Sequence, residues 1–435
     1  MERPSQESVH YKLLVLLIVA ASCLRVFVCF QHNPMDYIVW DMLRHWTNGV
    51  AFPQGGSIGA TDPIVYQVYV WLLHHLTLDN RLLVALASAL LSVLMPWTYY
   101  RAARDFGLAK IPALWVWALI AGTPSLFTIY HFIMMETLLL VLAGVALWMT
   151  ARYLRKGGTS AFLLFIFSWT LASLTKPTVV PLAGVCFLWV WWKKSTPLRD
   201  IAIGAALAVV MLLPNAIRTK IELGFMAPFG NPWPAKIMHR NGARMTVYHL
   251  YTQPHERRHI RPRVMHSVPV WGTYGSPSGF MQPLAPLSDW VIRRASANST
   301  KHVFINSANG ERGWKEAYAA IDADWDELLA QWRENIVLFL FAPSWPEITT
   351  ETLWDSRLEY FGRWLWAPLI LVVFVCNIRQ FLARRFELIP VATTLFTLFL
   401  ALQNVVLMEG RYRKPVEPLL LFNLVWVLGR KDIRG

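Results

Sequence analysis

Along this chain, apolar runs alternate with short polar segments, and many of the runs approach the 20 or so residues that a helix needs to cross a bilayer. Ten stand out: roughly 13–30, 82–100, 111–129, 133–151, 160–175, 177–192, 201–217, 362–378, 387–406 and 416–429. Pro177 disfavours a helix running on from Lys176, so the fifth and sixth runs should meet in a tight hairpin. Residues 63–77 are apolar but short, and Tyr66, Tyr69, Trp71, His74 and His75 suit headgroup depth. They are expected to form a helix lying in the interface, with a second such helix over 38–47. The first run contains Arg25 and no small-residue cleavage pattern follows it, so it reads as a retained helix rather than a signal peptide.

Between the seventh and eighth runs lies a long insert, 218–358. Pro and Gly are dense over 227–286, which predicts loop and turn. From Gly313 to Val337 the pattern turns helical, with Trp314, Tyr318, Ile321, Trp325, Leu328 and Trp332 at three- and four-residue steps. The expected fold is therefore an all-α polytopic membrane protein of about ten spans. Its expected parts are an N-terminal membrane module, 1–217, with a first outer loop over 31–80, the insert 218–358, and a C-terminal membrane module, 359–435. The composition agrees: 55% of the 435 residues are hydrophobic and only 16% charged.

Charge assigns the sides. One set of loops is basic and otherwise plain: Arg101, Arg104 and Lys110; Arg152, Arg155 and Lys156; Lys193, Lys194 and Arg199; and the loops near Arg384 and Arg430. Cytoplasmic loops collect Lys and Arg, so this set and both termini are expected inside. These loops account for much of the net charge of +14, which points to anionic headgroups and not to nucleic acid. The other set carries Asp36, Asp41, Asp62, Glu136, Lys176 and the run Glu409-Gly410-Arg411-Tyr412-Arg413, and falls on the outer face.

That outer set holds the candidate chemistry. Asp36 and Asp41 follow the first run, where a carboxylate within reach of an acceptor hydroxyl can act as general base. Glu136 opens the fourth run, and an ionisable group there is a functional candidate. Lys176 at the hairpin tip can hold a phosphate as a point charge. Arg411 and Arg413 are basic yet outside, and arginine grips phosphate with paired donors; Arg218 and Lys220, at the outer end of the seventh run, are placed to join them. His255-Glu256-Arg257-Arg258-His259 fits a zinc-binding pattern, but Pro254 and Pro262 leave barely two helical turns and arginines surround it, so it reads as a basic loop patch. Asn298-Ser299-Thr300 is a glycosylation sequon. Cys23, Cys29, Cys186 and Cys376 lie in apolar segments and suggest neither a disulfide framework nor a metal site.

In their order and sidedness these features resemble the GT-C glycosyltransferases, and within them glycosyltransferase family 39: the protein O-mannosyltransferases and the bacterial transferases that move a sugar from a polyprenyl phosphate to lipid A or other glycans. The resemblance runs through Leu24-Arg25-Val26, then Asp36, Trp40 and Gly49, then Asp62-Pro63-Ile64-Val65-Tyr66 and Arg81-Leu82. It continues through Thr123-Pro124, Glu136, Leu174-Thr175-Lys176-Pro177-Thr178, Leu213-Pro214-Asn215 and Arg411-Tyr412 with Pro415. Tyr37 departs from it, since the family has Glu there. The likeness is good over 1–220, loose over 340–435 and absent from the insert.

The resemblance implies an inverting transfer of a hexosyl or pentosyl group from a polyprenyl-phosphate sugar to a hydroxyl of a glycan, lipid or protein at the outer face. Asp36, with Asp41 as fallback, would deprotonate the acceptor. Lys176, Arg411 and Arg413 would stabilise the leaving phosphate, and Glu136, Tyr66 and Tyr412 would bind substrate. No nucleotide is needed, and help from a divalent metal is left open. Of the compartments that fit, a bacterial inner membrane with a periplasmic site is favoured. The rival readings are a polymerase or ligase of lipid-linked glycans and a lipid or sugar transporter; a transporter predicts midplane charges and inverted repeats, which the sequence does not display.

Overall fold

The computed structural model describes residues 6–38, 41–54, 62–223, 226–229, 235–240, 243–250, 301–306, 336, 339–340, 353–402 and 413–429. Arg411, Tyr412, the His255–His259 pattern, the sequon and, apart from residue 336, the expected helix over 313–337 lie outside them, as do the side chains of Tyr37 and Asp41.

The described parts of the ten apolar runs are largely helical, although the third is broken at Thr123 and residues 403–406 of the ninth lie outside the described residues. In chain order the helices are α1 (Gln6–Gln31), α2 (Asp41–Val50), α3 (Ile64–Thr77), α4 (Arg81–Asp105), α5 (Lys110–Gly122), a single turn α6 (Pro124–Phe127), α7 (Met135–Lys156), α8 (Thr159–Thr175), α9 (Val180–Lys193), α10 (Leu198–Leu223), α11 (Leu353–Leu382), α12 (Leu388–Leu402) and α13 (Glu417–Gly429). Among the described residues, four helices are long and apolar enough to cross a membrane: α1, α4, α7 and α10. A fifth crossing is added if α5 and the segment Pro124–His131 count as one broken span, and five shorter apolar helices accompany them. The chain is a multi-pass membrane protein.

Burial orders the bundle. In α7, 67% of the most apolar window is buried, against 22% in α1 and in α10. Thus α7 is the centre, packed on α4 and α8, while α1 lies against α4 and α5, and α10 against α8. The outward face of α1 offers Leu13, Leu16, Leu17, Val19 and Phe27 to lipid. Where α4 and α7 cross, Gly144 is required: a Cβ there would overlap the Thr98 side chain.

The break between α5 and α6 has a local cause. Thr123 is extended, as a residue before proline prefers, and Pro124 starts the next turn, bending the chain by 75°. A break leaves carbonyls at the end of α5 without helical donors. Arg25 of α1, fully buried, supplies them: Nε donates to Ala121 O (2.7 Å) and Nη2 to Ile120 O (2.7 Å). Its Nη1 donates to Ser92 O (2.8 Å) and Ser92 Oγ (3.1 Å) of α4.

The described part of the insert differs from the loop expectation. Three short strands, β1 (Ala235–Arg240), β2 (Ala243–Leu250) and β3 (Lys301–Asn306), form a sheet in the order β1-β2-β3. Ala235 pairs with Tyr248 and Arg240 with Ala243 across an antiparallel turn, and Met245 pairs with Lys301 in the parallel pair. Proline and glycine density marks the turns between such strands but conceals the short stretches of Ile, Val, Thr and Tyr that pair.

Candidate active site

The helix ends expected on the outer face meet α2, α3 and the first loop. Asn33 starts this arrangement: its Oδ1 accepts from Met35 N (3.0 Å) and its Nδ2 donates to Arg81 O (2.8 Å), which ties the turn Pro34–Tyr37 to the first residue of α4. Asp36 on that turn is thereby brought to Arg81, whose guanidinium it binds. The Asp36 carboxylate is 40% exposed. Beneath it, Tyr66 and Val70 of α3 and Ile133 form a small apolar cluster on which Met35, Ile38, Trp46, Tyr69, Met135 and Leu138 pack. The cluster holds the first loop, α2, α3 and the start of α7 together. The close approach of α2 to α3 depends on Gly49, where a Cβ would overlap the side chain of Val70.

Asp62 is the buried carboxylate of this region, 4% exposed. One face of α2 cradles it: Asn48 Nδ2 donates to Oδ2 (2.7 Å), His45 Nδ1 lies 3.4 Å from Oδ2 and Arg44 Nε 3.5 Å from Oδ1. Burial raises its pKa, but His45 and Arg44, with the hydrogen bonds from His45 and Asn48, outweigh that and bring it down to about 2. Asp62 is therefore an ionised acceptor throughout the physiological range and too weak a base to take a proton. The sequence shows Asp62 among the outer charges but assigns it no role. The cradle is missed altogether, although Arg44 and Asn48, four residues apart on a short helix, share a face.

Glu136, in the first turn of α7, and Lys176, at the end of α8, form a buried ion pair of 2.5 Å, at 1% and 7% side-chain exposure. Tyr66 is in the field of both Glu136 and Asp62. It is fully buried, and its hydroxyl has no hydrogen-bond partner. Burial first, then Tyr69, Glu136 and Asp62, push its pKa well above the ordinary phenol value, so it is a proton-bearing donor. Arg218, near the C-terminal end of α10, is within electrostatic range of Glu222 and Asp62, with its guanidinium 5.4 Å from the Phe52 ring centroid. Its Nη1 and Nη2 are buried and hydrogen-bonded to nothing.

Arg413 is placed differently from the expectation of an outward phosphate grip. It is fully buried: Nε donates to Glu417 Oε1 (3.0 Å) and Nη1 to Phe339 O and to Leu340 O (3.3 Å). Lys414 meets Glu417 Oε2 at 3.4 Å and donates to Ser125 O, and Ser125 Oγ donates to the same Oε2 (3.0 Å). This knot fastens α13 to α6 and to the end of the insert. Among the described residues, no three His, Cys, Asp or Glu side chains come together in a way that could hold a metal ion.

The opposite ends of the helices carry ordinary structural pairs. Asp105 accepts from Trp148 Nε1 (2.8 Å) and binds Arg155 (3.0 Å), and Asp200 accepts from Thr159 (3.0 Å). The Asp62 cradle, Tyr66, the Glu136–Lys176 pair and Arg218 lie at the other end.

No curated protein matches the chain. Two solved structures are similar to it, both of ArnT from Cupriavidus metallidurans. The one bound to undecaprenyl phosphate has a TM-score of 0.41 at 16% identity, over 96% of this chain and 78% of that one. The apo form has a TM-score of 0.39 at 16% identity, over 96% and 77%. Residues 61–217, from the loop before Asp62 through α10 as far as the residue before Arg218, match the family model of the dolichyl-phosphate-mannose-protein mannosyltransferases, so the resemblance read from the residues is found over that stretch of the chain.

Proposed function

We propose that this protein is a membrane glycosyltransferase that moves a sugar from a polyprenyl-phosphate donor to an acceptor hydroxyl at the outer face. The observation that carries the reading is the gathering of Asp36, Asp62, Tyr66, Glu136, Lys176 and Arg218 at one end of a lipid-embedded bundle, with two donor groups, the Arg218 guanidinium and the Tyr66 hydroxyl, left without protein partners. The family match over 61–217 supports the same reading. An unsatisfied buried donor is costly unless a ligand completes it. A phosphate suits a guanidinium and a sugar hydroxyl suits a phenol.

In this scheme the acceptor oxygen attacks the anomeric carbon from the face opposite the phosphate, which inverts that carbon. Its proton passes to Asp36, the accessible carboxylate, with Asp41 as the alternative base. The bond from the anomeric carbon to the phosphate oxygen breaks, and its electron pair leaves on the lipid phosphate. Arg218 and Lys176 stabilise that growing charge, joined by Arg411 and Tyr412 of the loop before α13, while Glu136 and Tyr66 orient sugar hydroxyls. The lipid tail lies among the spans, and the module 1–217 carries most of the machinery. Arg413 acts at a remove, by fixing α13.

The test is turnover by the purified protein in lipid, with radiolabelled polyprenyl-phosphate sugars as donors and membrane extract as acceptor. One donor should be consumed, and Asp36→Asn should lose on the order of a hundredfold or more in rate while still binding it, the scale of a general base. Consumption of no donor, or an Asp36→Asn variant as fast as wild type, would overturn the reading.

A further inference from the structure

Two fixed pieces of backbone meet at Asp36. The first is its own turn, Pro34–Tyr37. Pro34 sets the dihedral at its start, Asn33 Oδ1 accepts from Met35 N (3.0 Å), and Asn33 O accepts from Asp36 N (2.9 Å). The second is the start of α4. Asn80 caps it, its Oδ1 accepting from Leu82 N (3.0 Å) and Leu83 N (3.3 Å), and Arg81 is the first residue of the helix. Asn33 joins the two pieces, because its Nδ2 donates to Arg81 O (2.8 Å). The Arg81 guanidinium therefore starts from a fixed Cα, and its Nη2 binds Asp36 at Oδ1. Oδ2 of the same carboxylate receives no hydrogen bond from a described residue, and the carboxylate is 40% exposed.

On the transferase reading, we propose that Arg81 is a positioning residue for the transfer: by holding Oδ1 of Asp36 it makes Oδ2 the atom that takes the acceptor's proton. An aspartate on an open turn rotates and offers either oxygen in many directions. Pinned at Oδ1, it offers one oxygen in one direction, so the freedom of the base is lost before the acceptor arrives and not during the reaction. In the step itself the O–H bond of the acceptor breaks and its proton joins Oδ2. The electron pair of that oxygen forms the bond to the anomeric carbon, and the lipid phosphate leaves with the pair of the old bond. Arg81 stays on Oδ1 throughout and exchanges no proton. The pair contributes little to the fold, because both side chains reach solvent and exposed ion pairs are weak. Its effect on rate is therefore separable from its effect on stability.

The experiment compares wild type with Arg81→Gln, Arg81→Lys, Asp36→Asn and the double variant, each purified in lipid. Turnover is measured with the polyprenyl-phosphate sugar that wild type consumes, binding with radiolabelled polyprenyl phosphate, and stability by melting. Arg81→Gln should lose on the order of tenfold in kcat, the scale of a misaimed group. It should still bind polyprenyl phosphate and melt close to wild type. Arg81→Lys returns one N–H donor to Oδ1 and should recover most of the rate. In Asp36→Asn there is no carboxylate to aim, so adding Arg81→Gln should change the residual rate by less than about twofold, as coupled residues do. A substitution that harmed only folding would slow both backgrounds alike. Three results would overturn the inference and leave the transferase reading standing: Arg81→Gln as fast as wild type, the same loss with and without Asp36, or loss of polyprenyl phosphate binding in Arg81→Gln. Consumption of no donor by wild type would overturn the transferase reading, and this inference with it.

Discussion

At the scale of single residues, Asp62 shows how an environment assigns a role. Its depressed pKa has a consequence for stability. Folding holds the carboxylate ionised at about 2 against an ordinary 3.8, so the cradle contributes up to about 2 kcal/mol above pH 4, and this is lost as pH falls toward 2. The melting temperature of wild type should therefore exceed that of Asp62→Asn most clearly at pH 5–7, and the two should converge as pH approaches 2. Curves that run parallel from pH 6 to pH 2 would refute the cradle as described. These charges were legible in the sequence as one expected set, because apolar runs and basic loops alternate along the chain, but their partners were not. Arg413 beside Tyr412 reads as an exposed basic pair; only the fold places Glu417, Phe339 and Leu340 around it. The Glu136–Lys176 pair was likewise hidden, since its members are 40 residues apart and each alone reads as a candidate ligand.

Elements were read more fully than residues. Most of the apolar runs found their helices, because hydrocarbon thickness imposes a length that composition reveals. Helices near both short stretches were also foreseen: α3 is found where expected, and α2 runs over Asp41–Val50 where 38–47 was expected. The sharp bend after α5 was not foreseen, because a Thr-Pro step inside an apolar run does not tell whether the helix kinks or breaks. Contact between α2 and α3 has its own test. Gly49→Ala pushes a methyl into Val70, one turn from Tyr66, and overpacking of this kind typically costs about 1–3 kcal/mol. This variant should melt lower and turn over more slowly than wild type, and adding Val70→Ala should restore part of both. A single variant with unchanged melting and turnover would show that α2 and α3 are not in close contact.

For the whole molecule, sidedness is the property on which function depends. Asp62, Tyr66, the Glu136–Lys176 pair and Arg218 lie at one end of the bundle, and the paired structural carboxylates Asp105 and Asp200 lie at the other. If the basic loops are cytoplasmic, a cysteine at exposed Gln54 should react with a membrane-impermeant maleimide in intact cells, and one at exposed Lys156 should react only after permeabilisation. The reverse pattern would place the site inside and remove the outer-face part of the proposed reaction.

The guanidinium of Arg25 also bears on how the chain is made. Its helix is synthesised before the backbone oxygens that solvate its charge, which belong to residues 92, 120 and 121. Until those residues have been translated, a positive charge on α1 is costly in hydrocarbon. A single arginine thereby couples the seating of α1 to that of the two helices that follow α3.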